Sequence, residues 1–154
     1  MKIIRASRKH IGPIANLMLA SPLLARYGAT ARGVRAGLAR GFRERDTLLV
    51  AVDGEAVVGL AWFIRTAALD RSTYLQLLLV AESHQSRGLG SSLVARGERE
   101  ARASGSRHMV MLVTKTNRRA RSFYESHGYR HVGDLAGFVR PGIAESLYLK
   151  SWRT

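Results

Sequence analysis

No cysteine occurs among the 154 residues of the sequence, which excludes disulfides, thiolate zinc sites and a cysteine nucleophile. Proline is scarce, at three residues, and there is no internal repeat, linker or low-complexity stretch. No apolar run approaches the roughly 18 residues that a membrane span needs, and MKIIRASRKH lacks the apolar core and cleavage site of a secretory signal. A membrane partner is therefore not expected, and the expected location is cytoplasmic. Acidic residues are few: 11 against 25 lysines and arginines, a net charge of +14. Such a charge could draw polyanions by counterion release. However, 21 of the cations are arginines spread along the whole chain, a general bias and not a basic arm, so nucleic acid is not the expected partner. What the chain does have is 46% hydrophobic residues. With this length, that fits one globular domain over residues 1–154 with a substantial core.

The apolar pattern alternates between strand and helix periods. IIRAS (3–7) reads as a short strand, after which Ile11, Ile14, Ala15 and Met18 recur at helical spacing, with Pro13 tolerable in a first turn. SPLLARYGAT (21–30) breaks that helix. Thr30 can cap a second one to about Arg45, which Gly33, Gly37 and Gly41 make intrinsically weak, so this segment is expected to be mobile. Strands at about 47–52 and 56–65 flank Asp53-Gly54, a turn signal that calls for positive φ. Residues 72–80 form a third apolar run. A helix over 89–105 has Leu93, Val94, Gly97 and Ala101 on its buried side, and HMVMLVT (108–114) is a buried-type strand. Residues 117–128 read as a helix ending at a glycine, and strands at 129–135 and 144–152 close the chain. The order β-α-α-β-β-β-α-β-α-β-β predicts a mixed α/β domain, not an uninterrupted doubly wound one.

The stretch QSRGLGSS (85–92) lies between a strand and a helix start. That setting gathers backbone N–H groups and the positive end of the helix dipole at one point, an anion site. Gly88 and Gly90 lack Cβ atoms, so a bulky oxyanion can approach closely, and Gln85, Arg87 and Ser91 offer further donors. A P-loop would need a lysine after its last glycine, and Leu89-Gly90-Ser91-Ser92 has none. A dinucleotide turn would need a third glycine where Leu93 stands.

Gln85 to Gly90 does fit Gln-x-x-Gly-x-Gly, and NRRARSFYESHGY (117–129) fits Asn-x-x-Ala-x-x-Phe-Tyr-x-x-x-Gly-Tyr. In both blocks, and in element order over roughly residues 3–150, the chain resembles the GNAT superfamily of acetyl-CoA-dependent N-acetyltransferases. The resemblance implies a largely antiparallel central sheet flanked by helices, and acetyl-CoA as co-substrate with no metal. It implies that the backbone of Leu78, Leu79 and Val80 pairs with the pantetheine arm. Gln85, Ser86, Arg87, Gly88, Leu89, Gly90 and Ser91 would then hold the pyrophosphate. It places Asn117 near the pantetheine and Tyr124 near the sulfur; their seven-residue spacing is two helical turns, so both should project from one face.

The chemistry implied is direct attack of a neutral amine on the thioester carbonyl in a ternary complex. Backbone N–H groups near Leu79 and Val80 would stabilise the oxyanion, and the Tyr124 hydroxyl would protonate the departing sulfur. Many relatives carry a glutamate in the strand before the loop, and here the matching position is Gln76, which cannot act as a base. Glu82, His84 and Glu145 are substitutes by type, each read as an ordinary surface group. His127 and His131 have no third ligand, and Arg96/Glu100 and Glu98/Arg102 read as a solvated helix face.

The resemblance assigns acceptor recognition to stretches that here hold Tyr27, Arg32, Arg35, Phe138, Arg140 and Pro141. These arginines favour an amine bearing a carboxylate or phosphate. The acceptor is otherwise undetermined, and a homodimer is left open. Two alternatives to the enzyme stand beside it: an acetyl-CoA sensor with little turnover, prompted by Gln76, and a basic nucleic-acid-binding module.

Overall fold

Among the described residues, the strand-like apolar runs become seven strands. A computed structural model describes residues 1–152. The strands are β1 (Lys2–Arg5), β2 (Thr47–Asp53), β3 (Ala56–Arg65), β4 (Ser72–Val80), β5 (His108–Thr114), β6 (Arg130–Ala136) and β7 (Ala144–Ser151). Their order in the sheet is β1-β2-β3-β4-β5-β7-β6. β1–β2, β2–β3, β5–β7 and β6–β7 pair antiparallel, and β4–β5 pairs in parallel. The helices are α1 (Ile11–Leu19), α2 (Pro22–Arg26), α3 (Ala31–Arg43), α4 (Leu89–Ala103) and α5 (Arg118–Ser126). This is the mixed, largely antiparallel architecture that the sequence predicts. The backbone divides into two compact units, Met1–Phe63 with Leu77–Gly97, and Ile64–Gln76 with the chain from Glu98 onward. β3, β4 and α4 contribute residues to both.

In the first unit, β1 to β3 form a meander whose β2–β3 turn is the expected Asp-Gly turn, with Gly54 at φ +59°. Its core includes Leu49, Val50 and Leu60 from the strands, Ile14 and Leu38 from α1 and α3, and Leu93 from α4, all at 0% exposure. Pro13 falls in the first turn of α1, where its missing N–H costs no hydrogen bond. Residues 21–30 do interrupt the first helix, yet they hold a short helix of their own. Ser21 Oγ accepts from Leu24 N at 3.4 Å, and Pro22 follows at the first helical position. α3 is capped by Thr30 as predicted, through Gly33 N to Oγ1 at 3.1 Å. Its glycines also have a packing role: a Cβ on Gly41 would lie 2.6 Å from Cζ2 of Trp62, so a bare backbone is needed there.

In the second unit, β7 runs between β5 and β6, in register from His108↔Ser151 to Thr114↔Glu145 on one side and paired from Arg130↔Leu149 to Ala136↔Ala144 on the other, with a register shift between His131 and Gly133. Met109, Met111 and Tyr148 fill its core at 0–1% exposure. The β3–β4 connection departs from anything the pattern foretold: Leu69, Asp70 and Arg71 all take left-handed φ, at 51°, 54° and 59°. Each such non-glycine residue costs about 1 kcal/mol. Ser72 Oγ to Leu69 O (2.6 Å) and Asp70 to His108 Nε2 (3.1 Å) hold the turn.

Candidate functional site

The glycine turn forms as the sequence implies. After β4 the chain makes a single 3-10 turn at Glu82–His84, then enters α4 through Gly88. Gly88 sits at φ +76°, and a Cβ placed there would meet nothing within 4 Å, so the glycine is required by its dihedral and opens onto free space. The first bond into α4 runs from Ser92 N to Gly88 O at 3.0 Å, reinforced by Ser92 Oγ to the same carbonyl at 3.1 Å. The amides of Leu89 and Gly90 therefore lie outside the intrahelical ladder, at the positive end of the helix. Ser86 also adopts positive φ, 60°. An oxyanion fits such a mouth.

Several contacts within the same unit hold this turn. Ala81 N donates to Val58 O at 2.8 Å, which fastens the end of β4 to β3. His84 lies between Ser83 Oγ (2.8 Å, to Nδ1) and Asp53 Oδ2 (3.1 Å, to Nε2), so a residue of the β2–β3 turn steadies the approach to the loop. Gln85 Nε2 donates to Val80 O at 3.1 Å; its carboxamide thus joins the end of β4 to the loop it opens. Leu78, Leu79 and Val80 are half-buried, Arg87 is exposed, Ser91 is half-buried, and Gln76 is exposed. α4 is seated by Leu89 (3% exposed) and Leu93, and Gly59 of β3 makes room, since a Cβ there would stand 3.1 Å from Leu93 Cδ1.

In the second unit, Asn117 is the N-cap of α5, with Oδ1 accepting from Ala120 N at 3.1 Å. It stands just outside the helix and its side chain folds back on the first turn. The two-turn spacing to Tyr124 thus relates backbone positions and not the direction of the carboxamide. Tyr124 is 8% exposed and packs edge-on against Phe123 (ring centroids 5.1 Å) and Tyr129 (5.7 Å). Burial holds its phenol above the ordinary value of 10.0, so the hydroxyl keeps its proton at neutral pH.

Two readings of the sequence are corrected. Glu145 is not a surface group: it is 3% exposed on β7, opposite Thr114. Glu98 is not part of a solvated face. Its carboxylate accepts from the Tyr129 hydroxyl at 2.7 Å and from Lys150 Nζ at 2.9 Å, while Arg96 donates to the carbonyl of Ile3. A signal for Glu98 was available, because it lies four residues after buried Val94 and next to buried Gly97, at the edge of the apolar stripe. His127 Nδ1 contacts Phe123 O at 2.7 Å and His131 Nε2 contacts Asp134 at 2.9 Å. Arg32, Arg35, Arg140 and Pro141 are exposed, Phe138 is 64% exposed and Tyr27 is half-buried at the end of α2.

Residues 22–129 match the model of the Acetyltransferase (GNAT) family. The chain belongs to the GNAT acetyltransferase family. The matched span takes in both blocks, the glycine turn and all of NRRARSFYESHGY. The chain is 33% identical over 105 residues to a mycothiol acetyltransferase of Corynebacterium efficiens, a match that takes in 66% of this chain and spans only 34% of that protein's length. Among solved structures it is similar to an N-acetyltransferase of Staphylococcus aureus Mu50 (TM-score 0.80, 18% identity, 97% of each chain). It is equally similar to yncA of Salmonella typhimurium, solved with its cofactor acetyl-CoA (TM-score 0.80, 18% identity, 100% of this chain and 95% of that one). At such identities these structures establish a shared fold. Among the described residues, no helix is long and apolar enough to cross a membrane.

Proposed function

We propose that this chain, acting as a single cytoplasmic domain, transfers the acetyl group of acetyl-CoA to a primary amine by direct attack in a ternary complex. The observation that carries the reading is the mouth of α4: left-handed Gly88 with open space beyond it, and the Leu89 and Gly90 amides outside the helical ladder. Family membership and the acetyl-CoA complex of the Salmonella protein support it. Acetyl-CoA supplies an activated thioester. Residues Gln85 to Ser91 hold the pyrophosphate, Leu78 to Val80 receive the pantetheine along their backbone, and Asn117 lies beside that arm. The amides near Leu79 and Val80 favour negative charge on the carbonyl oxygen, Tyr124 gives its proton to the departing sulfur, and the proton lost by the attacking amine passes to water, which returns one to the Tyr124 phenolate. Holding donor and amine together supplies much of the acceleration.

Arg32, Arg35 and Arg140 favour an acceptor bearing a carboxylate or phosphate beside its amine. The test is thiol release from acetyl-CoA across a panel of amines. Amino-acid-like amines should react faster than polyamines or aminoglycosides, and the opposite ranking would overturn this acceptor class. Gln76, exposed on β4 where a base is wanted, favours one second reading, an acetyl-CoA sensor. Acetyl-CoA binding with no amine-dependent thiol release across the panel would select it.

A further inference from the structure

Tyr129 closes the second sequence block, and the structure builds a buried polar cluster around it. The residue is 3% exposed, and its hydroxyl donates to Glu98 Oε1 at 2.7 Å, with Met109 Sδ 3.1 Å away. Lys150 Nζ donates to both oxygens of Glu98 and to His127 O, each at 2.9 Å, and lies 5.3 Å from the centre of the Tyr129 ring. The side chains of Lys150 and Glu98 are only 25% and 16% exposed. Three elements, α4, β7 and the end of α5, are thus tied at one phenol.

That phenol is in direct contact with Tyr124. Gly128, at φ +85°, turns the chain back at the end of α5, and Tyr129 N donates to Tyr124 O at 3.1 Å. The two rings then meet edge to face, 5.7 Å apart at 78°. Such a contact depends on the plane of each ring, so whatever fixes one constrains the other. A part-buried ion pair contributes little net stability, since desolvation offsets its attraction, and packed apolar groups could fill the same space. What an apolar filling could not supply is a directed hydrogen bond that sets the tilt of the Tyr129 ring.

We propose that Tyr129, anchored by Glu98 and Lys150, is a positioning residue that holds the Tyr124 hydroxyl in the orientation from which it donates its proton. This rests on the reading of Tyr124 as the general acid. The test uses the full chain with Tyr129→Leu, Tyr129→Phe and Glu98→Gln, each alone and in a Tyr124→Phe background. Three quantities are measured: kcat with the fastest amine of the panel, Kd for acetyl-CoA, and flipping of the Tyr124 ring by NMR of ring-labelled tyrosine. Tyr129→Leu should lower kcat about tenfold at unchanged Kd, with Tyr129→Phe and Glu98→Gln about threefold, the pattern of an interaction made in the transition state. None should lower kcat further once the Tyr124 hydroxyl is gone, because coupled residues are not additive. The Tyr124 ring should flip slowly in the parent chain and fast in Tyr129→Leu.

Equal losses with and without the Tyr124 hydroxyl, or unchanged ring flipping, would overturn the positioning role while leaving Tyr124 as acid. An unchanged kcat for Tyr124→Phe alone would remove the acid assignment, and this inference with it. Should Tyr129→Leu fail to fold, Tyr129→Phe and Glu98→Gln decide the matter.

Discussion

Gly97 of α4 faces the ring of Phe63 on β3 so closely that a methyl group on the glycine would fall within 2.6 Å of three ring carbons, Cε1, Cε2 and Cζ. Phe63 is 2% exposed and has nowhere to retreat. Alanine at this position would gain about 1 kcal/mol of helix propensity but would overpack the interface at a cost of about 1–3 kcal/mol or more. Gly97→Ala is therefore expected to be less stable than the parent in urea unfolding, and Phe63→Leu in the same chain should recover part of the loss. A stabilised Gly97→Ala would mean that the helix seats otherwise.

Just before the first residue of the same helix the requirement is different. A side chain on Gly88 meets open space, so Gly88→Glu should fold with a loss of about 1 kcal/mol from its left-handed φ. Its carboxylate, however, would stand at the mouth proposed for the pyrophosphate. Titration calorimetry should show acetyl-CoA affinity reduced by about a hundredfold or more, since both dipole and amides are met by the wrong charge. Retained affinity would move the pyrophosphate elsewhere.

Acid sensitivity should concentrate at Asp134. Its carboxylate accepts from Ser146 Oγ at 2.7 Å and His131 Nε2 at 2.9 Å, and pairs with Lys115 at 3.2 Å. These partners, the serine first, hold its pKa below the ordinary 3.8. A lowered folded-state pKa adds stability above the unfolded value, and that stability is lost progressively as pH falls from the unfolded pKa through the lower folded one. Asp134→Asn should thus be less stable at neutral pH, and should lose less than the parent between about pH 5 and pH 3 in urea midpoints measured against pH. Parallel curves for the two proteins would refute this.

The fold was largely legible because each long element carries an unmixed period. His108–Thr114 alternates nowhere and is buried along most of its length, and the helix of Leu93, Val94, Gly97 and Ala101 presents that stripe to the core as its spacing requires. The glycine turn was legible for the same local reason, a strand, two glycines and a helix start. Long-range pairing was not. The edge of the apolar stripe sets Glu98 beside the core, but nothing local shows that it bonds Lys150 fifty-two positions away, or that Glu145 is buried opposite Thr114. The short helix at Pro22–Arg26 was hidden by length, being one turn and a half whose only signals are a serine cap and a proline. The left-handed turn at Leu69–Arg71 is imposed by contacts to distant His108 against local preference.

The most informative single change remains Tyr124→Phe. The ring stays between Phe123 and Tyr129, so packing is retained, and only the hydroxyl is lost. If that hydroxyl gives its proton to the leaving sulfur, kcat should fall by about a hundredfold or more while the Kd for acetyl-CoA stays the same, the size expected for one acid group. Burial adds a second expectation. Because the phenol is held above its ordinary 10.0, the acid stays protonated throughout the usual assay range, and kcat should show no alkaline fall from this group below about pH 10. An unchanged kcat in Tyr124→Phe, measured where the chemical step limits turnover, would leave protonation of the sulfur to solvent and make Tyr124 a packing residue of α5.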